Sequence, residues 1–410
     1  MRPKIFLPTV LFAALTSMPL AAGDWPQWRG PHRDDISTET GLLKEWPAGG
    51  PPLVWKATGL GAGHGGIAVA GGKVFTTGDK GESGLAVALN VTDGQVAWTA
   101  KIGKPGGGPP GPRSTPTVDG NWVFVLGQHG DWVCLESATG KEVWRKHLVK
   151  DFGGKHGGWL YAESPLVDGN QVVCTPGGSR GAVVALNKKT GEVVWQSKEF
   201  TDAAEYSSII IATLGGTRQY VQFTGQSVAG MAPDTGKLLW RAPRQGQTAT
   251  VPTPIVHDDH VYVASGYGVG CNLFKITKTG DEFKAEEVYA NKVMVNHHGG
   301  VVRIGEYLYG HSDGKGWVCQ EFKTGNQVWS DKSVGKGSLT CADGHLYLRG
   351  EGGKGPIALV EATPDGYKQK GRFDQPDRSK ENSWPHPVIA GGKLYIRDQD
   401  VLLCYDVKAK

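Results

Sequence analysis

Residues 184–195 read VALNKKTGEVVW: an apolar run, a polar turn closing on Gly191, and a second run ending in Trp195. Two short β-prone runs around a Gly-terminated turn predict a hairpin. The same phrase returns as LNVTDGQVAW ending at Trp98, LESATGKEVW at Trp144, MAPDTGKLLW at Trp240 and EFKTGNQVW at Trp329. Between these phrases lie alternating runs, TPTVDGNWVFVLG, SPLVDGNQVVCTP and TPIVHDDHVYVAS, which read as two further strands around an Asp-Gly-type turn. Four strands in about 40–50 residues is the period of a propeller blade.

The closing aromatic positions number eight: Trp55, Trp98, Trp144, Trp195, Trp240, Tyr289, Trp329 and Phe373, with Tyr289 and Phe373 in degenerate units. The final stretch, WPHPVIAGGKLYIRDQDVLLCYDVK, supplies only three strands, while PPLVWK at 51–56 is a fourth strand without its own predecessors. Pairing the two closes the ring and removes the free edges of an open sheet. The fold expected is all-β, an eight-bladed propeller over 51–410, with 51–56 completing the last blade and 23–50 a lead segment. Sixty-two glycines and 14 tryptophans, with 20% charged residues, suit a fold of many reversals and large packing anchors.

The phrase VALNKKTGEVVW resembles the pyrroloquinoline-quinone (PQQ) repeat of quinoprotein alcohol dehydrogenase-like propellers. That superfamily also holds the propeller subunit of the bacterial outer-membrane protein assembly machine. The lead DWPQWRGP, residues 24–31, is similar to the start of exported PQQ-like propellers. The resemblance covers nearly all of the chain after residue 23. It implies the fold and leaves activity open, because a packing repeat is shared by enzymes and scaffolds.

Residues 1–22, with Arg2 and Lys4 before an apolar run and small residues at Ala21 and Ala22, read as a secretory signal. No cysteine follows that site, so the expected product is periplasmic or extracellular and not lipid-anchored. No later run approaches the 18 apolar residues of a membrane span. A formal charge of +4, two units of it from Arg2 and Lys4, argues against a nucleic-acid partner. A monomer is expected.

Cys134 and Cys319 stand six residues before the turn glycines Gly140 and Gly325, where Ala88 and Ala185 stand before Gly94 and Gly191. Cys404 fits the same strand position. Cysteine alternating with alanine reads as a small buried residue. Cys174, Cys271 and Cys341 fall on other strands, and a bridge among them stays open. GAGHGG at 61–66 matches G-x-G-x-x-G but precedes a strand instead of opening a helix, so no dinucleotide site is read there. GQSVA at 225–229 misses the nucleophile-elbow pattern, and no H-E-x-x-H exists.

Each inner strand of a propeller begins at one mouth of the central channel. Aligning the blades three residues before the Pro of TPTV gives a column: His64, Arg113, Ala162, Tyr206, Val251, His298, Lys336 and Trp384. Tyr161 and Glu163 flank Ala162, and His297 and His386 stand beside the column. In NHHGG, 296–300, strand alternation would let only one histidine face the channel, with His298 the candidate and His297 a loop or inter-blade contact. No metal site is read there.

Arg113 and Lys336, with histidines able to charge, predict a cationic mouth for an anionic or saccharide small molecule, or for a partner protein or peptide. The principal reading is a binding scaffold. The superfamily resemblance implies an alternative, a PQQ-dependent dehydrogenase of alcohols or sugars. In that superfamily PQQ is held with calcium, which wants several carboxylate oxygens. Glu163 alone does not supply them and no adjacent cysteine pair exists, so no cofactor is assigned. A third reading is a saccharide lyase or hydrolase using His64, His298 and Tyr206 for proton transfer.

Overall fold

The computed structural model describes residues 23–410; the expected signal segment, 1–22, lies outside the described residues. Eight antiparallel sheets follow one another along the chain. Blades 1 to 8 begin with inner strands Ala68–Ala70, Thr117–Asp119, Leu166–Asp168, Ile210–Leu214, Ile255–His257, Val301–Ile304, Gly337–Ala342 and Val388–Ala390. Leu53–Ala57 is the outer strand of blade 8, antiparallel to Val401–Asp406, with Trp55 opposite Cys404. One short helix, Leu148–Phe152, interrupts the β structure among the described residues.

The repeat is explained by the joints between blades. Each closing tryptophan packs on the turn glycine of the next blade: a Cβ on Gly94, Gly140, Gly191 or Gly236 would lie 2.4–2.9 Å from the ring of Trp55, Trp98, Trp144 or Trp195. These glycines also have φ between 68° and 73°, which L side chains resist. The indole N–H then donates to the same turn, from Trp55 to Val91 O at 2.8 Å and from Trp144 to Lys188 O at 2.9 Å. Opposite the aromatic stands a small residue: Ala88, Cys134, Ala185, Gly230, Cys319 or Cys404. This is the pressure that makes cysteine and alanine interchangeable there. All six cysteines are free and buried, so Cys174, Cys271 and Cys341 form no bridge.

Two joints depart from the pattern. Trp240 turns its N–H to Gln219 Oε1 in its own blade, at 2.6 Å, because blade 5 has ten-residue outer strands instead of the short turn. In blade 7 the register places Gly371, not Phe373, at the closing position. Trp46 from the lead covers it, within 2.5 Å of where a Gly371 Cβ would stand, while Phe373 packs on Gly50.

The lead does not merely precede the ring; it fills it. Trp25 bridges to Val69 of blade 1, and Pro26 O accepts from Val118 N of blade 2 at 2.7 Å. Arg33 donates to Ser164, Pro165 and Ile209 carbonyls at the inner edges of blades 3 and 4. Trp28 Nε1 donates to Thr253 Oγ1 ahead of blade 5 at 3.0 Å, and Arg29 to Val301 O of blade 6 at 2.6 Å. Ile36–Ser37 adds a parallel strand to the inner strand of blade 7, and Asp35 meets His386 at blade 8. A segment touching the inner edge of every blade lies on the axis. The channel expected from the sequence is therefore plugged by residues 25–37.

Candidate functional site

A cavity of about 300 Å³ lies against this plug, with Trp28 in its wall. Seven of the eight column positions line it: His64, Arg113, Ala162, Tyr206, Val251, His298 and Trp384. Trp159, Tyr267 and His297 complete an aromatic rim. The inner strands start just beyond the column, so seven of the eight blades deliver a column side chain to the same place.

The remaining predicted residues stand behind the wall. Lys336 Nζ lies 2.6 Å from His297 Nδ1 and 3.1 Å from Asp313 Oδ1, buttressing the rim from outside. Tyr161 is buried and donates to Pro176 O at 2.9 Å. Glu163 is buried and accepts from Thr175 N at 2.6 Å; burial pushes its carboxyl up to about 7. His386 is held between Asp35 Oδ2 at 2.9 Å and His298 O at 3.1 Å. These residues fix the frame of the pocket and do not line it.

Both histidines of NHHGG line the cavity, against the expectation that only one would. The inner strand of blade 6 starts at Val301, after them, so strand alternation does not govern their directions. Their rings lie 5.2 Å apart at 72°. His297 also makes the loop contact expected of it, to Tyr267 Oη at 2.8 Å. Among the described residues no group of three or more His, Cys, Asp or Glu is arranged to hold a metal ion.

The histidines do not supply the expected charge. Burial, with Arg113 and Arg397 nearby, pushes His64 down to about 3. Burial, with His298 and Lys336, brings His297 to about 4, and burial also lowers His298. At neutral pH the site holds neutral imidazoles, and its positive charge rests on Arg113 with Lys336 behind. Arg113 spends one strong bond on Pro109 O, at 2.7 Å.

Three bulky residues at the pocket have left-handed backbones: Leu160 beside Trp159, Thr248 beside Ala249, and Tyr267 itself, at φ 66°, 62° and 56°. Such strain costs on the order of 1–3 kcal/mol each and persists where surrounding contacts enforce it, often at ligand sites. Trp28, Trp159 and Tyr267 were not among the expected site residues, being on irregular loops or the lead, outside the repeat.

The fit of PQQ with calcium fails on the donors. The lining holds no carboxylate. Glu351 lies behind it, with Oε2 3.1 Å from His298 Nε2.

The sequence pattern of the family described as "Outer membrane protein assembly factor BamB" matches residues 82–331. The chain is 25% identical over 268 residues to the outer membrane protein assembly factor BamB of Shewanella oneidensis, covering 62% of this chain and 65% of that protein. With the factor of the same name from Kangiella koreensis it shares 26% over 196 residues, 45% of each. The chain thus spans less than two thirds of the length of these relatives. Among solved structures, quinohemoprotein alcohol dehydrogenase from Comamonas testosteroni superposes with a TM-score of 0.69 at 13% identity, over 95% of this chain and 81% of that one. At that identity the likeness concerns the fold alone. Matched over more than half its length, and carrying the same repeat, the chain belongs to the outer membrane protein assembly factor BamB family.

Proposed function

We propose that this chain is a binding scaffold of the exported, periplasmic kind, serving outer membrane protein assembly as its named relatives do, with the plugged-axis pocket as its recognition site. The observation that carries the reading is the convergence of seven blades on one aromatic cavity beside Trp28. A pocket of apolar walls with few polar groups is built for recognition. Among the described residues no helix is long and apolar enough to cross a membrane.

The hydrolytic reading loses support on basicity: a general base works best near the operating pH, and His64 at about 3 is far below it. The dehydrogenase reading loses support on the missing carboxylates.

The test is a photo-crosslinking residue at Gly158, exposed beside Trp159 and with open space at its Cβ, installed in the chain in its own host. The expected result is a discrete adduct with a component of the outer membrane protein assembly machinery, lost in a Trp384→Ala background. An adduct formed equally from Val193 on the outer strand of blade 3, or unaffected by Trp384→Ala, would refute the pocket as the recognition site.

A further inference from the structure

The hydrogen bonds around the pocket assign its polarity atom by atom. Gln399 Oε1 accepts from Gly63 N at 2.8 Å, so its amide nitrogen faces His64 Nε2, at 3.4 Å. His64 Nε2 is then the acceptor, and the ring proton sits on Nδ1. That Nδ1 is buried with no partner among the described residues.

His298 is set the other way. Its Nε2 lies 3.1 Å from Glu351 Oε2, a contact not aligned as a strict hydrogen bond. A carboxylate so close still holds the proton on Nε2, since two facing lone pairs repel. Nδ1 is therefore a bare acceptor, buried and unpartnered.

The rim follows the same logic. Lys336 has only N–H to give, so His297 accepts on Nδ1 and donates from Nε2 to Tyr267 Oη. The Tyr267 hydroxyl proton is thereby left for the pocket. Tyr206 Oη accepts from Trp159 N at 2.9 Å and keeps its own proton as well.

The pocket thus offers donors at Arg113, Tyr206 and Tyr267, while the His64 and His298 Nδ1 atoms are buried in its wall. Trp384 gives an aromatic face, its ring stacked at 4.0 Å on His64 and 5.6 Å from His298. From this arrangement we propose that the pocket takes an acidic sugar: one six-membered polyol ring bearing a carboxylate. The proposal rests on the pocket being the recognition site and names what it recognises.

The carboxylate matches the Arg113 fork. The ring hydroxyls accept from the two tyrosines. A flat aromatic acid would fill the same space but leave the two tyrosine hydroxyl protons without acceptors, at the desolvation cost of unmet polar atoms. The cavity, about 300 Å³, has room for one such ring.

The experiment is calorimetric titration of the whole folded protein with D-glucuronate, D-glucose and benzoate. Glucuronate should bind saturably and at least about tenfold more tightly than either of the others, as expected for one charge-assisted contact pair worth ~1.4 kcal/mol or more. Arg113→Gln should erase the preference for glucuronate over glucose. Tyr267→Phe, at the rim, should weaken both sugars and leave benzoate unchanged.

Absence of saturable glucuronate binding overturns the proposal, as does equal binding by Arg113→Gln. Tighter binding of benzoate would reassign the site to aromatic acids. If glucuronate fails while the Gly158 adduct still depends on Trp384, only the ligand class falls. Loss of that dependence with glucuronate still bound removes the scaffold reading instead.

Discussion

The joints between blades and the ring of residues around the axis obey opposite rules. At the joints the same devices recur, an aromatic ring, a left-handed glycine and a small residue opposite. At the axis no two adjacent blades contribute the same residue type, from His64 through Arg113 and Tyr206 to Trp384. A packing problem that recurs from blade to blade gets one solution at most of the joints. A recognition site of the kind proposed has no eightfold symmetry to obey, so its residues can differ.

The comparison is broken most severely at a joint. Trp144→Ala removes a buried ring clamped on Gly191 and should cost about 3–5 kcal/mol, read from urea or thermal unfolding. Next comes the plug. Arg33→Ala frees carbonyls of blades 3 and 4 and should destabilise by about 2–3 kcal/mol, again by urea unfolding.

A smaller effect is its pH dependence. His64 falls from 6.5 to about 3 on folding, and His297 and His311 fall from 6.5 to about 4. The unfolded chain binds these protons first, so their contribution is complete above pH 6.5 and is lost as pH falls toward 4. Glu163 opposes this: raised from 4.5 to about 7, it favours the fold as pH drops through that window. Urea midpoints should therefore decline on acidification from pH 7 to 4.5, and decline more steeply in Glu163→Gln. The smallest effect sharpens the comparison from outside. Val193→Thr, on an outer strand at 54% exposure, should shift stability by no more than about 0.5 kcal/mol in the same unfolding measurement.

The ring was legible because each joint repeats one local phrase: Trp195, Gly191 and Ala185 fall within a dozen residues, although Gly191 receives Trp144 and Trp195 packs on Gly236. The column was legible because the same repeat fixes where each inner strand starts. What stayed hidden came from contacts without period. The lead reads as a polar, Pro- and Gly-containing segment, and nothing in it shows that Arg33 will cap carbonyls over a hundred residues away. Lys336 was aligned to the column but bends back onto His297 and Asp313, a choice made by neighbours and not by register. Charge was misjudged for the same reason, since the acidity of an imidazole is set by the walls around it.

Residues 25–57 have a consequence in time. They hold the axis and then supply the strand that seals blade 8, pairing with residues some 350 positions away. A chain synthesised from its amino end presents this segment long before its partners emerge. Blades that condense early must leave it accessible, and a ring that sealed around an empty axis would have to reopen to admit it. Closing the ring means joining the two ends around an occupied centre. Slow, cooperative closure, sensitive to changes at Gly50 or Trp46 far from any ligand, is the kinetic signature this architecture carries.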